Sequence, residues 1–114
     1  MNPELVVKLV EDFEAEVNNG GFDQFFFNST GDFSIETLEA LELIKANKTA
    51  AILREACNRF PSGIPPSDRT VRANLMSATV SPNSSEFDSL DERFYAYDED
   101  PGTLLEEFRK ERGI

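Results

Sequence analysis

Four of the ten phenylalanines in this chain stand within six residues (Phe22, Phe25, Phe26 and Phe27), directly behind the pair Gly20-Gly21. No other stretch narrows the choice of fold as far. Wound as a helix at about 100° per residue, Phe22, Phe25 and Phe26 share one face and Phe27 leaves it. A segment apolar over most of its circumference needs other elements around it. The glycine pair permits a sharp corner, because without a Cβ it reaches positive φ angles, and Gly31 can end the turn. The expectation is a buried pivot from Asn18 to Asp32, architectural in role.

Around that pivot the apolar residues recur at helical spacing. Asn2 followed by Pro3 reads as a cap and first helical residue. Leu5, Val6, Leu9, Val10, Phe13 and Val17 then form one stripe, stopped at Asn18-Asn19-Gly20-Gly21. After a short Phe-rich helix over roughly 21–28, Phe33 and Leu38 flank Ser34 as a hydrophobic staple around an N-cap. Ile35, Leu38, Leu41 and Ile44 predict the inner face of that next helix, and Asn47 is placed to cap the one after it. Ile52, Leu53, Ala56, Cys57 and Phe60 make the following stripe, which ends at Pro61. Ser67 or Asp68 caps a helix carrying Val71, Leu75 and Met76, on which Arg69 and Arg72 supply basic charge. Residues 81–85 form a polar break, Ser89 to Glu92 match a capping box, and Asp100-Pro101 opens a last helix anchored by Leu104, Leu105 and Phe108. Nothing alternates like a strand. The prediction is an all-α fold: one compact domain across residues 1–114, with about six or seven short helices around the Phe-rich central one.

The charge of −11 is distributed unevenly: ten acids against one base over residues 1–42, two against six over 43–85, and ten against four over 86–114. A field of this sign repels nucleic acid and anionic membrane and draws in basic partners, although acidic surfaces also serve solubility alone. One cysteine precludes an internal disulfide and, with no basic-then-apolar leader at the N-terminus, leads us to expect a cytoplasmic protein. No apolar run approaches a membrane span. The absence of histidine removes the commonest general base, the commonest zinc ligand and the standard triads. Cys57 sits at an apolar helical position and reads as core. Acid pairs such as Asp98 and Asp100, or Asp88 and Asp91, could in chemical terms hold a hard cation or move protons, yet Asp98 to Gly102 lacks the order of a calcium loop. No metal or other cofactor is expected.

Binding is better motivated. Glu36, Glu39 and Glu42 repeat at every third residue, where helix neighbours lie about 5–6 Å apart. Glu11, Asp12, Glu14 and Glu16 make a second acidic set on the first helix. Facing solvent together, the two would form a row spaced like the backbone phosphates that a DNA-binding protein grips with Lys and Arg. Asp88, Asp91 and Glu92 make a further patch. A small carboxylate-dependent enzyme or metal protein, or an adaptor working through Phe27, Tyr95 or Tyr97, are the alternatives.

The run from Asn19 through Gly20, Gly21, Phe22, Phe25, Phe26, Phe27, Asn28 and Gly31 to Asp32 resembles the signature of the DMP-type DNA-mimic protein family, most of whose members are catalogued as a domain of unknown function. Ala51 to Ala56 with Phe60-Pro61, and Phe87 to Tyr95 followed by Glu99-Asp100, extend the likeness over nearly the whole chain. The resemblance implies an all-α bacterial domain that can dimerise and that offers acidic surface, in imitation of double-stranded DNA, to the DNA-binding face of a transcription factor. The expected partner is therefore a basic protein of the helix-turn-helix regulator kind. Neither nucleic acid nor membrane is expected to bind directly. Glu11, Asp12, Glu14, Glu36, Glu39, Glu42, Asp88, Asp91 and Glu92 are the expected contacts.

Overall fold

The computed structural model describes residues 1–79 and 87–114, so the polar break expected at 81–85 lies outside the described residues. Six α-helices follow in order, with no strand among the described residues: α1 (Pro3–Phe27), α2 (Ser34–Leu43), α3 (Asn47–Cys57), α4 (Arg69–Thr79), α5 (Asp88–Tyr95) and α6 (Pro101–Arg112). Short 3₁₀ turns fill Ser29–Phe33 and Pro61–Gly63. α1 runs through the middle, with α2, α4, α5 and α6 packed against it and α3 bridging α2 and α5. The all-α prediction with a Phe-rich centre is thus met.

α1 starts where the sequence says, the Asn2 Oδ1 accepting the amides of Glu4 at 2.8 Å and Leu5 at 3.3 Å. Its inward stripe is Val6, Val7, Leu9, Val10, Phe13 and Val17; Leu5, expected inside, is exposed. The helix then breaks at the predicted corner. Gly20 (φ −153°) and Gly21 (φ 72°, ψ −172°) leave helical geometry, and the chain resumes as a second limb from Phe22 to Phe27. The positive φ suits only glycine, and a Cβ on Gly21 would lie 2.5 Å from the Asp91 Oδ2.

A break in mid-helix orphans an amide on one side and a carbonyl on the other. Two residues of α5, one turn apart, answer both. Asp91 Oδ1 accepts the Phe22 amide at 2.9 Å, and the Tyr95 hydroxyl donates to the Val17 carbonyl at 2.6 Å. Rings lock the same joint: Phe13 meets Phe25 and Phe94 edge-on at 5.3 and 5.6 Å, and Phe26 meets Phe60 at 4.9 Å and Phe87 at 5.6 Å. Such pairs contribute about 0.5–1.5 kcal/mol each beyond their buried area. The second limb is buried on one side only: Phe22, Phe25 and Phe26 are inside, while Phe27 is 56% exposed.

Several local expectations are not met. Ser34 does not cap α2; it is the first helical residue, buried, with its hydroxyl donating to the Gly31 carbonyl at 2.7 Å. The inner face of α2 is Ser34, Thr37, Ala40, Leu41 and Ile44, leaving Ile35 and Leu38 half-buried. Asn47 does not cap α3, because the Glu99 carboxylate reaches it first, accepting the Lys48 amide at 3.3 Å and the Thr49 amide and hydroxyl at 2.9 and 3.0 Å. The box at Ser89 to Glu92 does not form either, since α5 already begins at Asp88 with no side-chain cap. Asp68 and Asp100 do cap as expected, Asp68 accepting the Val71 amide at 2.9 Å and Asp100 the Gly102 amide at 3.0 Å.

Candidate partner-binding surface

The three glutamates of α2 are held outward by the packing of Thr37, Ala40 and Leu41 on the opposite side. Glu36, Glu39 and Glu42 are all exposed. Glu42 sits 3.4 Å from the Arg54 guanidinium of α3, and both side chains are half in solvent. A pair in that setting contributes about 0.2–1 kcal/mol, so Glu42 remains open to exchange its partner.

On α1 the acids divide. Glu11 is exposed, and Asp12 pairs with Lys8 one turn back at 2.8 Å, which raises the lysine pKa. Glu14 is half-buried; desolvation, then the charges of Asp100 and Glu11, push its carboxyl above the ordinary range. Glu16 faces the joint, its Oε2 accepting the side-chain amides of Gln24 at 2.6 Å and Asn28 at 3.1 Å. It braces the two limbs of α1 and is spoken for within the fold.

The third patch gathers more acid than expected. Asp88 and Glu92 are exposed, Asp91 caps the second limb, and Asp23, unmarked by the sequence reading, joins them. Burial raises the Asp91 pKa; the Phe22 amide opposes this, while Asp23 and Asp88 add to it. Asp23 is likewise raised by burial and then by Asp88. The groups thus brought together are Glu11, Glu14 and Asp100 in one place and Asp23, Asp88 and Asp91 in another.

Arg72, expected to supply basic charge on α4, is fully buried. Its Nε donates to the Phe26 carbonyl at 2.6 Å, and its Nη1 to that of Pro66 at 2.8 Å. Its Nη2 reaches the Asn28 carbonyl at 2.9 Å and Asp32 Oδ1 at 2.8 Å. A Cβ on Gly31 would fall 2.7 Å from Nε, so that glycine is needed for close approach. Residues 26–32 of the Phe-rich stretch therefore form a cradle for one guanidinium. A planar fork of five donors suits such a ring of carbonyls, where a lysine would satisfy fewer. The clue was present: Arg72 lies three and four residues before Leu75 and Met76, on their face of the helix.

Burial pushes the Cys57 thiol up to about 12, which leaves no thiolate at neutral pH. Among the described residues no group of three or more acids and cysteines is placed to hold a metal ion, and no helix is long and apolar enough to cross a membrane. Tyr95 and Tyr97, considered as an aromatic binding face, are tied to α1 through their hydroxyls, Tyr97 by exchange with the Asn18 side chain at 2.9 and 3.1 Å.

Fold and surface together define a class: a histidine-free acidic protein, all-helical among the described residues, hinged on an aromatic core and carrying exposed carboxylates on α1, α2 and α5. Within that class the chain belongs to the DMP19-like protein family, whose family model matches residues 2–112. That family is one of DNA mimics and is not a family of enzymes. Searches of the curated proteins and of the solved structures each returned no match.

Proposed function

We propose that this protein is an acidic interaction domain that occupies the DNA-binding surface of a basic regulator of the helix-turn-helix kind. The observation that carries the reading is the row Glu36, Glu39 and Glu42, exposed along one helix, with Glu42 in a half-exposed ion pair to Arg54. Carboxylates at this neighbour spacing repel one another by a few tenths of a kcal/mol per pair in an isolated helix. An arriving Lys- or Arg-rich face relieves that repulsion. Glu11 and Asp12 on α1 extend the acidic offer, and Asp88 and Glu92 provide a second patch. Family membership supports the same reading. Occupation of a regulator's DNA site would change transcription without this protein touching nucleic acid.

The test is competitive. The purified protein, immobilised, is exposed to a cytoplasmic extract at low salt, and retained proteins are eluted with duplex DNA. The expected result is retention of a DNA-binding protein that DNA releases, that high salt abolishes, and that Glu36→Gln/Glu39→Gln/Glu42→Gln no longer captures. Retention that resists both DNA and salt, or an unaffected triple variant, rules the reading out.

A further inference from the structure

Beside the hinge, the second limb of α1 and the face of α4 leave a groove of about 500 Å³. Gly20, Asp23, Gln24, Phe27 and Asn28 form one wall, and Ala73, Met76 and Ser77 the other. Its lining is mainly apolar, and Phe27 stands at its edge as one of the most exposed large apolar side chains described. Three features make this more than an incidental furrow. Phe27 is fixed in its outward pose, because Arg69 holds its carbonyl at 2.9 Å and lies over its ring at 5.4 Å. At Gly20 the wall is covered by the Gln24 side chain, whose Oε1 a Cβ there would strike and whose amide is held by Asn19 and Glu16, so a visitor meets a fixed polar group. The charges are polar along the groove, with the Arg69 cation at the Phe27 end and Asp23 toward Asp88 and Asp91 at the other.

At that acidic end Asp23 and Asp88 have no ion-pair partner among the described residues, and the Asp88 charge adds to burial in raising the Asp23 pKa. Two exposed carboxylates side by side without a cation make a site that an incoming ammonium or guanidinium improves. We infer that the groove docks an amphipathic helix of a partner protein, its apolar anchors lying over Phe27 and Met76 and a Lys or Arg set against Asp23 and Asp88. Helix-in-groove recognition uses anchors one turn apart, and the groove offers its apolar floor and its charge on one line. The polarity also orients the visitor, placing its basic residue away from Arg69. This site goes beyond the glutamate rows of the proposed function and uses a different physics: apolar burial with one charge, in place of a charged face alone.

A capped, fluorescein-labelled alanine-based helical peptide, with leucines at i and i+4 and lysines toward one end, is the probe, read by fluorescence anisotropy on the full chain. Saturable binding is expected. Phe27→Ala should weaken it about tenfold, as for a truncated interface anchor. Ser77→Arg, an exposed position on the groove wall, should abolish it by bulk and charge. Asp23→Asn should weaken it up to about fivefold at low salt. Glu36→Gln/Glu39→Gln/Glu42→Gln should leave it unchanged, which separates this site from the proposed regulator surface. Unchanged melting temperatures for Phe27→Ala and Ser77→Arg show that lost binding is local. Absence of binding up to about 1 mM overturns the inference. So does equal binding of a lysine peptide in which alanines replace the leucines, or binding indifferent to both groove variants.

Discussion

Arg72 shows what a single side chain can organise. It is the largest fully buried residue outside the aromatic set among those described, and it satisfies the Phe26 and Asn28 carbonyls, 46 and 44 residues away, together with that of nearby Pro66. Arg72→Met removes the charge and leaves the Phe26, Asn28 and Pro66 carbonyls and Asp32 without their donor. The expected loss is about 3–5 kcal/mol, the usual result of breaking one side of a buried pair. Arg72→Lys should fall between, since a single ammonium cannot reach every acceptor. Chemical denaturation of the two variants checks the order. Gly21 is the other position where one atom decides. Gly21→Val forces a branched side chain into φ 72° against the Asp91 carboxylate. Backbone strain alone there costs about 1–3 kcal/mol, and the clash adds to it, so a melting temperature equal to that of the parent protein would contradict the assigned geometry. The glycines and phenylalanines of this stretch were legible from their types. The guanidinium they surround was readable only through helical phase, because residue type argued for the surface.

At the scale of elements, the ends of helices divide by the distance to whatever caps them. Asn2, Asp68 and Asp100 cap the helices they precede and were legible in sequence order. The break in α1 and the start of α3 are completed by Asp91 and Glu99, from 69 and 51 or 50 residues away, and no local pattern announces that. Asp91→Ala should cost about 0.5–2 kcal/mol, the range for a lost N-cap. Asp91→Asn keeps an oxygen for the Phe22 amide while ending the repulsion with Asp23 and Asp88. It should therefore match or exceed parent stability at neutral pH. Thermal melts of the pair decide whether Asp91 serves as an acceptor or as a charge. The acidic rows were legible as clusters, but their environments were not. Glu14 and Asp91 turned out half-buried, and Asp23 and Asp100 joined patches only once the fold placed them there.

For the molecule as a whole, net charge and local burial act in the same direction. Glu14, Asp23 and Asp91 all have native pKa values above the ordinary 4.5 and 3.8 of Glu and Asp. A carboxyl whose pKa is raised by folding binds its proton more readily in the native state, so native stability grows as pH falls through the raised values. That contribution is full below the unfolded pKa and is lost as pH rises past the native one. The melting temperature should thus be higher near about pH 5 than at pH 7, and Asp91→Asn should flatten the difference. Salt provides a second lever with opposite effects on folding and on the proposed binding. Screening the self-repulsion of −11 charges stabilises the native fold, whereas screening the attraction to a basic partner weakens the complex. Melting and pull-down across one salt series should move in opposite directions.

The α5 residues that close the break in α1 also carry a consequence for synthesis. On the ribosome, the hinge at Gly20-Gly21 emerges long before Asp91, Phe94 and Tyr95 do. Until they arrive, the Phe22 amide and the Val17 carbonyl have only water, and Phe22 lacks the ring of Phe94. The nascent chain can wind the first limb early, but the bend that aims the second limb is settled only once α5 has emerged. A fragment stopped before residue 87 should therefore be helical but loosely packed, with its phenylalanines open to a chaperone.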